Sequence, residues 1–278
     1  MKKVAVIQDM SSFGKCSLTA AIPVLSVMGT QACPLPTAIL TAQTAYDSFY
    51  CKDLTEDMPH FTHEWTKQQA QFDGIQTGFV TGKPQIDQIF RFLEAFHTRE
   101  TTLLVDPVMG DDGALYKMYA PPLLSRMKEL VMHANIITPN ITESCLLTNR
   151  SYDALLRYRE RTSFMQALQD IGVTLQQQTN AKVIITGITR AQTGSIGNLY
   201  IDDKTTYFSQ SPYNGKSYSG TGDLFSSVIM GGVMRGDDVR ASMQLAEQFL
   251  AAAIDETYRQ QTPEVAGVHF EKFLHRLL

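Results

Sequence analysis

The sequence predicts an α/β protein: an open, mostly parallel β-sheet flanked by helices on both faces, with an antiparallel hairpin at one edge. Three observations carry that prediction. Short apolar runs alternate with stretches of helical periodicity through most of the chain, the pattern of parallel βαβ units. Polar turns follow most of the apolar runs, where sheets of this kind bind ligands. Late in the chain Gly197–Ile201 and Thr205–Phe208 flank Asp202-Asp203-Lys204, a hairpin pattern.

Bulk properties narrow the class. At 278 residues the chain lies near the upper size for one hydrophobic core. It shows no repeat, low-complexity tract or linker, so a single domain over 1–278 is expected. A hydrophobic content of 44% with 19% charge suits a soluble globular protein. The net charge of -4 offers no field for nucleic acid or a membrane surface, so anions must be met by local dipoles and metal. Cys16, Cys33, Cys51 and Cys145 are widely spaced, without Cys-x-x-Cys, and signal neither zinc nor a disulfide framework. Met-Lys-Lys runs straight into Val4-Ala5-Val6-Ile7 with no signal peptide, and no apolar run is of membrane length. A reduced, cytoplasmic protein is expected.

Taken in order, Val4–Gln8 reads as a buried strand, emptying into a polar turn over Asp9–Gly14 and a helix up to about Met28. Asp9 is either a turn-stabilising side chain or a substrate-facing carboxylate. Gly14-Lys15-Cys16-Ser17 fails as a P-loop, which needs a leading Gly where Asp9 stands and Ser or Thr where Cys16 stands. Thr30–Pro36 reads as a second strand and Thr37–Tyr50 as a polar loop, in which Thr41, Thr44 and Tyr46 are the pocket candidates. His60 and His63 lack the zincin order and belong to a solvated helix face.

Gly74–Phe79 reads as a strand with its exit, followed by a helix marked by Ile86, Ile89, Phe90, Leu93 and Phe96. Thr102–Val105 is the next strand. It ends in Asp106-Pro107-Val108-Met109-Gly110-Asp111-Asp112-Gly113, either a solvated acidic loop or a place for hydrated magnesium beside phosphates. Leu123, Met127, Leu130 and Val131 mark a helix, and Asn135–Ile137 a strand before Thr138-Pro139-Asn140. Glu143 then either meets the dipole of a new helix or orients metal-bound water. Residues 149–162 read as a charged helix or exposed segment, Phe164–Leu175 as a helix and Lys182–Gly187 as a buried strand. Val239, Met243, Ala246, Leu250 and Ala253 mark a long core helix; Phe270, Phe273 and Leu274 predict a closing one.

The chemistry centres on Tyr218-Ser219-Gly220-Thr221-Gly222-Asp223-Leu224-Phe225. Leu224, Phe225, Val228, Ile229 and Val233 recur at helical spacing, and Ser226, Ser227, Gly231 and Gly232 leave room for close packing. Glycines before a helix let several N–H groups point at one spot, where the helix dipole favours an anion. Asp223, in the first turn, can take a proton from a hydroxyl while those N–H groups stabilise a transferring phosphoryl group. Taken alone, Gly-x-Gly-Asp is more often a tight turn and a first-turn carboxylate. What raises its meaning is that Asp9, Asp106, Asn140 and Thr186 follow strand-like runs and are expected at one sheet edge.

As an ordered series these pieces resemble the pyridoxal kinase family, within the ribokinase-like superfamily of ATP-dependent small-molecule kinases, from Val4 to about Ala253. The resemblance rests on Ile7-Gln8 with Gly14, Thr44, Asp106–Asp111, Thr138-Pro139-Asn140-x-x-Glu143, Thr186 and Gly220–Phe225. It implies transfer of the γ-phosphoryl of ATP to the 5′-hydroxymethyl of pyridoxal, pyridoxamine or pyridoxine. Asp223 is then the base, and the N–H groups of Gly220, Thr221 and Gly222 form the anion hole. Asp106, Asp111, Asn140 and Glu143 hold Mg²⁺ with its waters, along with a monovalent cation such as K⁺. Thr186 and Gly187 touch ATP phosphates, Thr44 contacts the vitamin, and Phe79 lies where relatives carry an aromatic wall. The Gly110–Tyr119 loop resembles the family's flap over ATP, and relatives are usually homodimers.

One departure bears on the substrate. Many pyridoxal kinases carry Ser where this chain has Asp9, and Asp-x-Ser-x-x-Gly is similar to hydroxymethylpyrimidine kinases of the same superfamily. Those enzymes typically carry Cys where this chain has Asp223, so Asp223 favours the pyridoxal branch. Asp9 is expected to pair with the pyridine nitrogen or the ring 3-hydroxyl. The competing expectations are a hydroxymethylpyrimidine or dual-specificity kinase and, in another class, a vitamin-binding protein without turnover.

Overall fold

The computed structural model describes residues 1–116, 121–159, 162–190 and 194–278. The chain begins with β1 (Lys3–Ser11), α1 (Ser17–Val27), β2 (Gln31–Leu40), β3 (Cys51–Asp53), α2 (Met58–Lys67), β4 (Gly74–Thr77) and α3 (Lys83–Phe96). It continues with β5 (Thr102–Val105), β6 (Gly110–Asp111), β7 (Ala114–Leu115), α4 (Pro121–Val131), β8 (Ile136–Ile137), α5 (Ile141–Leu147), α6 (Tyr152–Leu156) and α7 (Thr162–Thr179). It closes with β9 (Lys182–Arg190), β10 (Ser195–Ile201), β11 (Thr206–Pro212), α8 (Thr221–Arg235), α9 (Val239–Arg259) and 3₁₀ segments at Glu264–Ala266 and Glu271–Leu277.

Nine strands form a mostly parallel sheet in the order β11-β10-β9-β8-β5-β4-β1-β2-β3, and β6 with β7 form a separate hairpin. The expected fold class is therefore the observed one. Among the described residues no helix is long and apolar enough to cross a membrane. The residues cluster into two compact units, Met1–Leu103 with Lys216–Leu278, and Leu104–Gly215.

In the first unit β1 lies between β2 and β4, parallel to both, and β3 adds to β2 antiparallel. Val4, Ala5, Val6 and Ile7 are fully buried, which is why β1 reads as a continuous apolar run. Helix α8 packs on this sheet. Met230 and Met234 lie against Gly74, and the Gln76 amide donates to Ser226 Oγ (3.3 Å) and Ser227 Oγ (3.0 Å). A side chain on Gly231 would strike Met28, and one on Gly232 would strike Ser242, so α8 is wedged between the end of α1 and α9. It is buried from Leu224 through Gly232 and thus apolar or small all round. On α2 and α3, Trp65, Phe92 and Phe96 join Phe72 in a cluster with ring centroids 4.7 to 5.9 Å apart.

In the second unit Leu104 and Val105 pair parallel with Ile136 and Ile137, which pair in turn with Lys182 and Val183. The β10–β11 hairpin continues from β9 in antiparallel register, as expected of an edge extension. α7 presses on it at Gly172, where a Cβ would collide with Ile201.

Several boundaries differ from the sequence reading. β1 runs through Asp9 to Ser11 instead of breaking into a turn, because β2 extends to Leu40 and supplies partners across a bulge. The loop after Pro36 therefore contains four more strand residues and the short edge strand β3, too brief and polar to show periodicity. The acidic loop after β5 folds into the β6–β7 hairpin. The closing segment is 3₁₀ instead of α-helical. Of the expected Gly110–Tyr119 flap, residues 117–119 lie outside the described residues.

Candidate active site

The first unit places Asp223 at the mouth of α8. Gly220 is the residue before the helix and has φ +81°, and a Cβ there would collide with the Lys15 carbonyl; conformation and space both demand glycine. The first intrahelical bond runs from Leu224 N–H to Gly220 O at 3.0 Å. The N–H groups of Thr221, Gly222 and Asp223 precede it and have no acceptor within the helix, so they are available to an anion. Thr221 Oγ1 itself donates to Tyr218 O at 3.0 Å.

Asp223 is half-buried, and burial pushes its carboxyl up to about 7. The main-chain N–H of Ser17 near that carboxyl opposes the rise, while the charge of Asp9 adds to it. Asp9 is 3% exposed, and burial raises its carboxyl as well, opposed by the nearby hydroxyls of Ser17 and Ser11. Ser11 Oγ donates to Asp9 Oδ2 at 2.7 Å. The buried Cys16 thiol is pushed up by burial and by both carboxylates, so it remains a thiol beside them. All four cysteines are free.

Thr44 is half-buried and sits next to Gln43, whose amide joins three segments. Gln43 Nε2 donates to Ser219 Oγ (3.1 Å) and Val265 O (2.9 Å), and its Oε1 accepts from Ala45 N–H (2.9 Å). The Thr44 loop is thereby tied to the approach of α8. Phe79 is half-buried at the exit of β4, where its carbonyl accepts from Thr37 Oγ1 at 3.1 Å. Gln85 holds the same exit: Oε1 accepts Thr81 N–H (2.8 Å) and Nε2 donates to Thr37 O (2.7 Å) and Asp53 Oδ2 (3.2 Å).

The second unit gathers Asp106, Asn140, Glu143 and Thr186. Asp106 is buried at the end of β5, and Asn140 bridges to Thr186 between β8 and β9. Asn140 and Glu143 form a capping box on α5: Glu143 N–H donates to Asn140 Oδ1 (2.9 Å) and Asn140 N–H to Glu143 Oε2 (2.8 Å). The other carboxylate oxygen, Oε1, accepts Met109 N–H at 3.0 Å. Asn140 Nδ2 donates to Gly110 O (2.7 Å), and Gly113 N–H donates to Thr142 Oγ1 (2.9 Å). The start of α5 therefore grips the acidic segment from Met109 to Gly113. Burial, then the neighbouring Asp106, pushes the Glu143 carboxyl well above the usual range. Asp111 is exposed, and its Oδ1 accepts Asp112 N–H at 2.9 Å. Gly187 N–H donates to Asn198 Oδ1 at 3.2 Å.

Among the described residues no three His, Cys, Asp or Glu side chains stand arranged as a closed metal cage. The donors nevertheless fit magnesium, which keeps several waters and uses one or two carboxylates with substrate phosphates. A dication beside Asp106 and Glu143 would also relieve the repulsion that raises Glu143. Glu143 already gives each oxygen to a main-chain N–H, so its part is to fix the segment carrying Asp111.

Each unit thus brings its own expected residues together: Asp9, Gly220–Gly222 and Asp223 in the first, Asp106, Asn140, Glu143 and Thr186 in the second. Ser11, Ser17, Gln43 and Thr142 were not singled out from sequence. Gln43 and Thr142 act through contacts distant in the chain, whereas Ser11 meets Asp9 only two residues away in a segment that reads as a polar turn; Cys16-Ser17 registers only as a failed P-loop.

A family model described as phosphomethylpyrimidine kinase matches residues 12–267. The chain is 35% identical to a Bacteroides thetaiotaomicron protein provisionally assigned as a phosphomethylpyrimidine kinase and solved with pyridoxal (TM-score 0.92, 99% of this chain, 95% of that one). It is 31% identical to pyridoxal kinase from Lactobacillus plantarum (TM-score 0.89, covering 100% and 97%). Pyridoxal kinase from Leishmania donovani, solved with ADP, shares the fold at 20% identity (TM-score 0.86, covering 100% and 96%). Among curated relatives, the hydroxymethylpyrimidine/phosphomethylpyrimidine kinase of Bacillus subtilis is 24% identical over 66% of this chain and 64% of its own length. The chain thus spans less than two thirds of that relative.

Proposed function

Because this chain belongs to the phosphomethylpyrimidine kinase family, a ribokinase-like family whose structural neighbours include pyridoxal kinases, we propose that it is an ATP-dependent B6 vitamer kinase. Its reaction phosphorylates the 5′-hydroxymethyl of pyridoxal, pyridoxamine or pyridoxine. The observation that carries this reading is Asp223: a carboxyl at a helix mouth, lifted to about 7, is poised to accept a proton near neutral pH.

In this reading Asp223 takes the proton of the vitamin's hydroxyl as its oxygen bonds to the γ-phosphorus. The bond to the β,γ-bridging oxygen breaks, and ADP leaves. The N–H groups of Gly220, Thr221 and Gly222 neutralise charge on the phosphoryl oxygens. Asp9 meets the pyridine nitrogen or the ring 3-hydroxyl, Thr44 contacts the vitamin, and Phe79 walls the ring. Asp106 and Asp111, steadied by Asn140 and Glu143, hold Mg²⁺ and its waters, which supply charge neutralisation for the phosphates; a monovalent cation such as K⁺ accompanies them. Thr186, Gly187 and Thr221 contact the nucleotide. ADP in the Leishmania donovani neighbour and pyridoxal in the Bacteroides thetaiotaomicron one support this ligand pair. We further place the protein in the cytoplasm, as one kinase domain in a homodimer.

A second reading, a hydroxymethylpyrimidine or dual-specificity kinase, is favoured by the family model and by Asp9. The deciding experiment offers a panel of alcohols with Mg·ATP and compares kcat/KM for pyridoxal and hydroxymethylpyrimidine. The B6 reading expects pyridoxal to lead, and preference for the pyrimidine overturns it. A vitamin-binding protein without turnover would consume no ATP with any of them.

A further inference from the structure

The β6–β7 hairpin turns at Asp112-Gly113, between the paired residues Asp111 and Ala114. Both turn residues have positive φ, +47° at Asp112 and +80° at Gly113, as the favoured two-residue hairpin loop requires. The hairpin is tight beyond its turn: a Cβ on Gly110 would collide with Ala114 O, and Tyr116 N–H donates to Met109 O at 3.1 Å. Asp112 N–H donates to Asp111 Oδ1 at 2.9 Å, so the path of the turn sets the direction of the Asp111 carboxylate.

One wall of this turn comes from outside the hairpin. A Cβ on Gly113 would lie 2.5 Å from Cδ1 and 2.7 Å from Cε1 of Tyr152, so the glycine backbone rests directly on the phenol ring. The ring stands on a fixed base. Tyr152 opens α6, where Ser151 Oγ accepts Ala154 N–H (3.2 Å) and Leu155 is buried. Just before it, Arg150 N–H donates to Cys145 O on α5 at 2.8 Å. Helix α5 thus holds the turn from both of its ends. Near its start Thr142 Oγ1 accepts Gly113 N–H (2.9 Å), and its last turn anchors the segment that carries Tyr152.

We propose that Tyr152 is a positioning residue: its ring closes the Asp112-Gly113 turn against Thr142 and so fixes the Asp111 carboxylate for magnesium and the nucleotide phosphates. This role rests on the reading of Asp111 as a magnesium ligand given above. The holding is done by the ring and not by the hydroxyl, because the atoms against Gly113 are ring carbons. Glycine at 113 is then required twice, by its φ and by the ring. Position 152 requires an aromatic side chain whose hydroxyl is dispensable. Removing the ring leaves Gly113 its Thr142 hydrogen bond but no wall, and the direction of Asp111 is no longer fixed.

The test compares Tyr152→Ala and Tyr152→Phe with the parent as full chains, using Mn²⁺ as a paramagnetic stand-in for magnesium. Mn²⁺ binding in the presence of ADP, read by EPR, is expected to weaken about 10-fold in Tyr152→Ala, the size expected when an outer partner of a metal ligand is lost. Tyr152→Phe should bind as the parent does. Hydrogen exchange at the Gly113 amide should accelerate in Tyr152→Ala and keep its parental rate in Tyr152→Phe. With Mg·ATP, the Mg²⁺ concentration at half-maximal rate should rise in Tyr152→Ala while KM for pyridoxal stays put. Parental Mn²⁺ affinity in Tyr152→Ala, or an equal loss in Tyr152→Phe, overturns the proposal. In the parent, NMR cross-relaxation should connect the Gly113 α-protons with the Tyr152 ring protons; its absence overturns the proposal even if Tyr152→Ala does not fold. A parent that binds Mn²⁺ with ADP yet phosphorylates no alcohol overturns the kinase reading instead, so the two failures are told apart.

Discussion

The carboxylates of Asp9 and Asp223 act on one another: the charge on Asp9 adds to burial in lifting Asp223 to about 7. Two acids that repel at one site tend to divide their roles, one ionising and the other keeping its proton longer. Here the nearby Ser17 main chain opposes the rise at the half-buried Asp223, and the deeply buried Asp9 accepts a hydrogen bond from Ser11 Oγ.

Asp9→Asn removes that repulsion. The acid limb of kcat/KM should fall to lower pH, because Asp223 then ionises more readily. KM for pyridoxal should rise more than KM for ATP if Asp9 meets the vitamin ring. Steady-state kinetics across pH reads both effects, and equal changes in the two KM values would discredit the assignment of Asp9.

Asp223 should cost the fold stability at alkaline pH. Its folded pKa, about 7, lies above the ordinary carboxylate value of 3.8, so the folded state binds the proton more tightly than the unfolded chain. That contribution is fully present below about pH 4 and is lost as pH rises through about 7. Asp223→Asn, which cannot ionise, should be more stable than the parent at pH 8 by an order of 2 kcal/mol, allowing for partial exposure. The gap should close near pH 4. Urea denaturation at the two pH values measures it; a gap that widens at acid pH contradicts the assignment.

Glu143→Gln leaves one of two buried N–H groups, at Met109 or Asn140, facing an amide donor instead of a carboxylate oxygen. A loss of about 1–3 kcal/mol is expected. Hydrogen exchange should accelerate at the Met109 and Gly113 amides, and KM for ATP should rise more than KM for the vitamin. Unchanged exchange at Met109 would mean that Glu143 does not hold the acidic segment.

Gln85→Leu removes the amide that ties Thr81 to Thr37 and Asp53. The fully buried site should lose about 1–3 kcal/mol. If Phe79 walls the vitamin, the released β4 exit should also raise KM for pyridoxal while KM for ATP stays put. A thermal melt with paired KM measurements separates the two effects.

Much of the fold was legible because periodicity is a local signal. β5 was read at its observed bounds, and the Gly220–Asp223 segment was read as a helix start because glycine and a first-turn acid announce one. The grip of α5 on the Met109–Gly113 segment was half legible: Asn140 and Glu143 stand at capping-box spacing, but Met109 gives no sign that it is held. The Gln43 cross-link and the approach of Gly267 to Lys15 were not legible. Each depends on a partner far along the chain, and neither hydropathy nor spacing records such a meeting. The edge strand at Cys51–Asp53 was missed for a different reason: three residues cannot display an alternation.

The account stands or falls on proton removal by Asp223, and the most direct test is turnover of pyridoxal with Mg·ATP by the parent chain and by Asp223→Ala. The account predicts phosphorylated vitamin from the parent and a rate lower by about 10²–10⁴-fold in the variant, with pyridoxal still bound. An Asp223→Ala variant that phosphorylates pyridoxal at the parental rate would contradict it.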